Sequence, residues 1–209
     1  MDNYKNNSSW DGNEIRLITE TELFLKKPDI MKKVTHKLDE LKIAIIDRVK
    51  KDGRTYPDGT DLIKGQIARG ENHNGFPFIS LDIPQKFSKT EMFTFRTLFW
   101  WGHYLGFSLI LKGTDLVNYT EKLSEKKDSD YLKDVCFATT VNLWEWENNP
   151  NAFQPVFGSS SEFIHKTINE IDYIKLIQFF PLDDSSFHFL DWKHSGLTFF
   201  ENMMKIIKD

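Results

Sequence analysis

His103-Tyr104-Leu105-Gly106-Phe107-Ser108-Leu109-Ile110-Leu111-Lys112 alternates with a period of two: His103, Leu105, Phe107, Leu109 and Leu111 share one side. Only an extended strand puts such a row on one face. The same reading applies to Tyr173-Ile174-Lys175-Leu176-Ile177-Gln178-Phe179-Phe180, which is apolar on both sides and so belongs in the middle of a sheet. Residues 76–83, Phe-Pro-Phe-Ile-Ser-Leu-Asp-Ile, add a third strand, with Pro77 near its start and Pro84 expected to end it. A fourth is read at residues 135–143, where Val135, Phe137, Val141 and Leu143 share a face.

Helical periods flank these strands. Ile30, Val34, Leu38, Leu41, Ile45 and Val49 recur every three or four residues, so a helix is expected to open at Pro28-Asp29 and close at Lys50-Lys51-Asp52-Gly53. Tyr56-Pro57-Asp58-Gly59 reads as a turn with Pro second and Gly fourth. Ser88 and Glu91 have the spacing of a capping box, which predicts a short helix over residues 88–99. Further helices are expected at residues 114–127, at 161–170 behind Ser161, and at 197–207. Residues 1–20 read as a partly ordered N-terminal arm and residues 21–209 as a single α+β domain, with a mainly antiparallel sheet covered by helices.

Composition limits the function classes. The 209 residues carry 27 Lys+Arg against 31 Asp+Glu, a formal charge of -4, which speaks against nucleic acid as a partner. Residues 26–54 are basic, net +5, and residues 145–209 acidic, net -5, as solvated faces would be. The polar start and the absence of a long apolar run predict no secretory leader, no membrane partner and a cytoplasmic location. One cysteine, Cys136, excludes an intramolecular disulfide, and its apolar neighbours mark it as a small buried hydrophobe rather than a nucleophile. The sequons at Asn6, Asn7 and Asn118 carry meaning only in a secreted chain.

Familiar catalytic signatures fail one by one. Gly65 and Gly70 have the frame of a phosphate loop, but Glu71 stands where lysine is required. No dinucleotide fingerprint follows a strand, no H-E-x-x-H occurs, and Gly158-Ser159-Ser160-Ser161 lacks the second glycine of a nucleophile elbow. No cofactor is therefore expected. His188, Asp191 and His194 are spaced three apart and would form a facial metal set if they shared a helix; the plainer reading is a polar surface.

The candidate site lies elsewhere. Arg69, Glu71 and His73 sit in a glycine-bracketed segment read as a loop, the usual place to present binding groups. Arg96 precedes Trp100 by four residues, within stacking reach on a helix, and Gly102 and His103 follow, leaving room for a ligand. With Trp144, Glu145 and Trp146 these residues would make an aromatic pocket with a few polar groups. Arg96, among Phe95, Leu98, Phe99 and Trp100, should be at least half buried and paired; Glu71 and Asp82 are the candidate partners, unless its fork opens into a cavity to hold an anion.

Arg69-Gly70-Glu71-Asn72, residues 95–102 and Leu111-Lys112-Gly113 resemble segments of a family of uncharacterised cytoplasmic proteins from Bacteroidetes, over residues 25–207. The resemblance implies a bacterial cytoplasmic protein and brings no catalytic residue. Three functions stay open. The chain is a domain binding an unknown small molecule or protein; or a hydrolase or transferase using Glu145, His103 or His73 as acid or base; or a structural or immunity-type partner protein.

Overall fold

In the computed structural model, which describes residues 9–207, the sheet is built from seven strands in the order β1-β2-β3-β4-β7-β5-β6. They are β1 Gln66–His73, β2 Phe76–Phe87, β3 Met92–Trp100, β4 Tyr104–Lys112, β5 Cys136–Ala138, β6 Phe153–Pro155 and β7 Ile174–Pro181. Every pairing is antiparallel. The helices are α1 Gly12–Ile18, α2 Glu22–Asp52, α3 Leu116–Lys126, α4 Ser161–Ile171 and α5 Trp192–Ile207. This is an α+β fold, and β7 does lie inside the sheet, between β4 and β5. The contacts fall into two compact units, Met1–His36 and Lys37–Asp209.

In the first unit, Asp11 and Glu14 form a capping box that starts α1 within the segment expected to fray, and α2 begins six residues ahead of Pro28. Pro28 thus lies inside α2, where the helix forgoes one backbone hydrogen bond.

The second unit has a sheet covered differently on its two faces. Phe93, Phe95, Phe107, Leu109 and Leu176 lie on the face toward the helices, where Phe95 meets Phe199 and Phe200 of α5 edge to face or tilted. Gly196 of α5 allows the closest approach: a Cβ there would lie 2.8 Å from Leu41 of α2 and 2.9 Å from Phe107. Leu38, Leu41 and Ile45 are fully buried, as the helical period required. Gly53 closes α2 at φ 62°, the left-handed cap.

Several local readings fail for identifiable reasons. Ser88 and Glu91 do not cap a helix. The Ser88 hydroxyl accepts the Glu91 N–H at 2.9 Å and the Ser88 N–H donates to the Glu91 carbonyl at 2.9 Å, closing the hairpin between β2 and β3. A four-residue turn and a capping box share one spacing, and the Phe, Thr and Trp content of residues 92–100 decides for a strand. Residues 66–73 are the edge strand β1, not a loop; only Asn74 and Gly75, both at positive φ, turn the chain. Pro84 does not end β2. The register slips between Asp82 and Gln85 and so accommodates a residue with no N–H to give.

The turn at residue 57 is displaced by one: Thr60 N–H donates to the Pro57 carbonyl, placing Gly59, φ 78°, third. β5 stops at Ala138, and the chain leaves the sheet at Thr139, because a long loop returns before β6. Residues 153–155 form the short strand β6. Ser160, not Ser161, caps α4 through the Phe163 N–H.

Candidate functional site

The sheet face away from the helices is covered by residues 139–152, a loop whose ends are pinched together. Thr139 N–H donates to the Ala152 carbonyl at 2.9 Å, and the Thr139 hydroxyl to the Asn151 carbonyl at 3.0 Å. This is the geometry of an Ω-loop. The carbonyls that such a loop turns toward the sheet need partners, and here the sheet's side chains supply them. Tyr173 Oη donates to Thr140 O at 2.6 Å, and Tyr104 Oη donates to Trp146 O at 2.6 Å. Lys175 Nζ donates to Leu143 O at 2.8 Å and to Glu145 O. Burial pushes both tyrosine hydroxyls up, so they stay protonated donors.

Arg96 and Lys175 share this face because Arg96 pairs with Ser108, Ser108 with Ile177, and Lys175 stands two residues from Ile177. Between and beside them lie the loop's aromatic rings. The Arg96 guanidinium lies 4.8 Å from the Trp144 ring and 5.6 Å from Trp146, while Lys175 Nζ lies 4.1 Å from Trp146 and 5.1 Å from Phe153. Two cations thus alternate with three rings, an arrangement that fastens the loop to the strands. Arg96 is also held by Asp82, with Nε and Nη2 donating to the two carboxylate oxygens at 2.8 and 2.9 Å. Its side chain is 14% exposed and that of Asp82 2%. Arg96 is therefore buried and paired as the sequence required, with Asp82 rather than Glu71. Thr94 adds a third hydrogen bond to the same carboxylate.

Lys175 is almost wholly buried. Desolvation lowers its pKa to about 7, opposed by the nearby Glu145 and assisted by the charge on Arg96. Sequence reading passed over this residue. A lysine in the middle of an otherwise apolar central strand is itself the signal, since burying it demands acceptors.

Between the β1–β2 hairpin and the loop is a cavity of about 170 Å³, lined by His73, Phe78, Ser80, Arg96, Leu98, Trp144 and Trp146. Trp144 forms its open wall and is 44% exposed. His73 contributes to this lining, while its Nε2 is itself buried away from the open space and has no hydrogen-bond partner. Four of the residues expected in the pocket, His73, Arg96, Trp144 and Trp146, are thus brought together.

The others lie apart. Trp100 is fully buried beneath the cavity: its Nε1–H donates to the His73 carbonyl at 3.2 Å and its ring stacks on His103 at 3.7 Å. As a strand residue it cannot stack on Arg96 through a helical turn. The room expected beside Gly102 is filled by Phe76, 3.3 Å from where a Cβ would stand. Glu145 turns its carboxylate onto the Glu147 N–H at 2.8 Å, and Arg69 and Glu71 are exposed on β1, with Arg69 on the opposite face from Ala68 and Gly70. Ser80, Phe78 and Leu98 were missed; Ser80 and Asp82, alternating with Ile79, Leu81 and Ile83, are the trace of a polar inner row.

His188, Asp191 and His194 do not form a metal set. His188 lies in the short 3-10 turn Ser185–Phe189, and Asp191 accepts the His194 N–H at 3.0 Å as the cap of α5. Among the described residues no cluster of His, Cys, Asp or Glu is arranged to hold a metal ion. Cys136 is partly buried, and desolvation raises its thiol pKa, away from nucleophilic use. No helix among the described residues is long and apolar enough to cross a membrane.

Comparison of the chain with protein-family models, with curated proteins and with solved structures finds no match. The functional reading therefore rests on the geometry of this face.

Proposed function

We propose that this protein is a cytoplasmic binding domain whose cavity between the β1–β2 hairpin and the loop of residues 139–152 receives one ring-sized planar group of its ligand. The observation that carries the reading is the cavity itself. Its lining combines the rings of His73, Phe78, Trp144 and Trp146 with two polar residues, Ser80 and Arg96. A space of about 170 Å³ is near the ~150 Å³ that accommodates benzene and below the ~300–1,000 Å³ of pockets that hold whole drug-sized ligands. A single ring bearing one polar group matches both the volume and a lining that mixes aromatic rings with Ser80 and Arg96. Acid–base chemistry has less support: the Nε2 atoms of His73 and His103 have no hydrogen-bond partner, and Glu145 is engaged with its own loop.

Nuclear magnetic resonance of the indole N–H groups tests this, because the chain holds six tryptophans at separable positions. Titration with phenol, indole and benzamide should move the Trp144 and Trp146 signals while leaving Trp10 and Trp101 in place. Trp144→Ala should weaken the best probe at least tenfold, about 1.4 kcal/mol. Probes that move all tryptophans alike, or that bind Trp144→Ala as well as wild type, would refute the reading.

A further inference from the structure

The apolar stripe that α2 buries at Leu38, Leu41 and Ile45 does not end where burial ends. It continues toward the N-terminus of the helix through Val34, Ile30 and Leu23 at helical spacing, and there Ile30 is 37% and Leu23 46% exposed. Phe24 beside it is 70% exposed. The short helix α1 buries no residue at all. Large apolar side chains exposed together along one element mark a contact surface rather than a solvated one.

Charge says what would cover it. Residues 11–22 hold Asp11, Glu14, Glu20 and Glu22 against Arg16, net -3, while residues 23–36 hold four lysines against Asp29, net +3. The segment is thus self-complementary: laid antiparallel on a copy of itself about a two-fold axis, each acidic half meets a basic half, twice. Parallel alignment would set like charges side by side. An anionic lipid surface is a poorer match, since the segment has no net charge and the whole chain carries -4.

We propose that residues 10–36 are a dimerisation arm, and that its occupant is the same arm of a second copy, antiparallel. Apolar contact supplies the affinity and the charges set the direction, as they do at helix interfaces flanked by Glu and Lys. The arm does not involve the cavity described above, so the two proposals stand or fall separately.

Sedimentation equilibrium of the full chain tests it. Wild type should associate to twice its 24.6 kDa. Phe24→Ser with Ile30→Ser should weaken the dimer at least tenfold with helix content by circular dichroism preserved. A chain carrying Lys26→Glu, Lys32→Glu and Lys33→Glu should also self-associate at least tenfold more weakly, and should recover association when mixed with a chain carrying Glu20→Lys and Glu22→Lys. The proposal is overturned by a wild type that stays monomeric at every concentration, including one that instead co-sediments with phosphatidylserine vesicles. A dimer indifferent to the Phe24 and Ile30 changes, or a mixture of reversed chains that gains nothing, overturns it equally.

Discussion

Lys175 is the residue on which the loop-covered face depends most. Its ammonium replaces lost water with two loop carbonyls and the faces of Trp146 and Phe153. These interactions only partly offset desolvation, which lowers its pKa from 10.5 to about 7. The sign of the consequence follows from linkage. A folded-state pKa below the unfolded value means that the unfolded chain binds more protons between pH 7 and 10, so stability rises with pH across that window and is flat below it. Wild type should therefore gain on Lys175→Met as pH rises from 7 to 10, by at most about 1.4 kcal/mol per pH unit. Urea unfolding of both proteins at pH 6, 7, 8 and 9 measures this; a difference that does not change above pH 7 would show that Lys175 does not titrate there. Arg96 differs in kind, since its guanidinium stays charged and Asp82 neutralises it with a bidentate pair. That pairing leaves it a wall of the cavity rather than a free anion receptor.

At the scale of elements, the β1–β2 hairpin sets the width of the cavity. Gly70 on β1 stands opposite Phe78 on β2, and the Phe78 ring lies over the glycine, 2.2 Å from where a Cβ would be. Phe78 also lines the cavity. Gly70→Ala must then displace the ring, at a cost of roughly 1–3 kcal/mol as overpacking. Since the ring lines that space, the account expects single-ring probes to bind Gly70→Ala at least tenfold more weakly. A calorimetric titration with unchanged affinity would show that Phe78 does not shape the site.

The edge strand was hard to see in the sequence for the same reason that it matters. Arg69, Gly70 and Glu71 look like loop residues, and a charged, glycine-bearing strand is what an exposed sheet edge requires. β3 was hidden differently. Both its faces are largely covered, so Thr97 interrupts the row of Phe93, Phe95 and Phe99 while Leu98 and Trp100 join Thr94 and Arg96 on the other side, and the period of two is blurred. β4 and the inner half of α2 were legible because each presents one dominant apolar row with regular spacing, and β7 because a run apolar on both sides fits only the middle of a sheet.

For the whole molecule, the antiparallel sheet separates two environments. One face meets α2 and α5 through Phe, Leu and Met side chains, and the other holds Asp82, Arg96, Ser108 and Lys175 under a loop with no regular secondary structure. A polar inner face is unfavourable unless each group is satisfied, and the loop's carbonyls and rings meet that demand. An opening on this face is walled by Trp144. The sequence puts His73, Arg96, Trp144 and Trp146 in one pocket, yet by a wrong route, because it reads Arg96 and Trp100 as neighbours on a helix where both stand on β3. Composition identified the residue types, while the loop fold that assembles them depends on hydrogen bonds from Tyr104, Tyr173 and Lys175 to carbonyls about 30 to 40 residues away in sequence, which no local pattern records. The central claim is that this opening is where the protein binds. A crystal structure of the full chain soaked in phenol tests it most directly: the account predicts ring density in the cavity between His73 and Trp144, and an empty cavity with phenol bound elsewhere would contradict it.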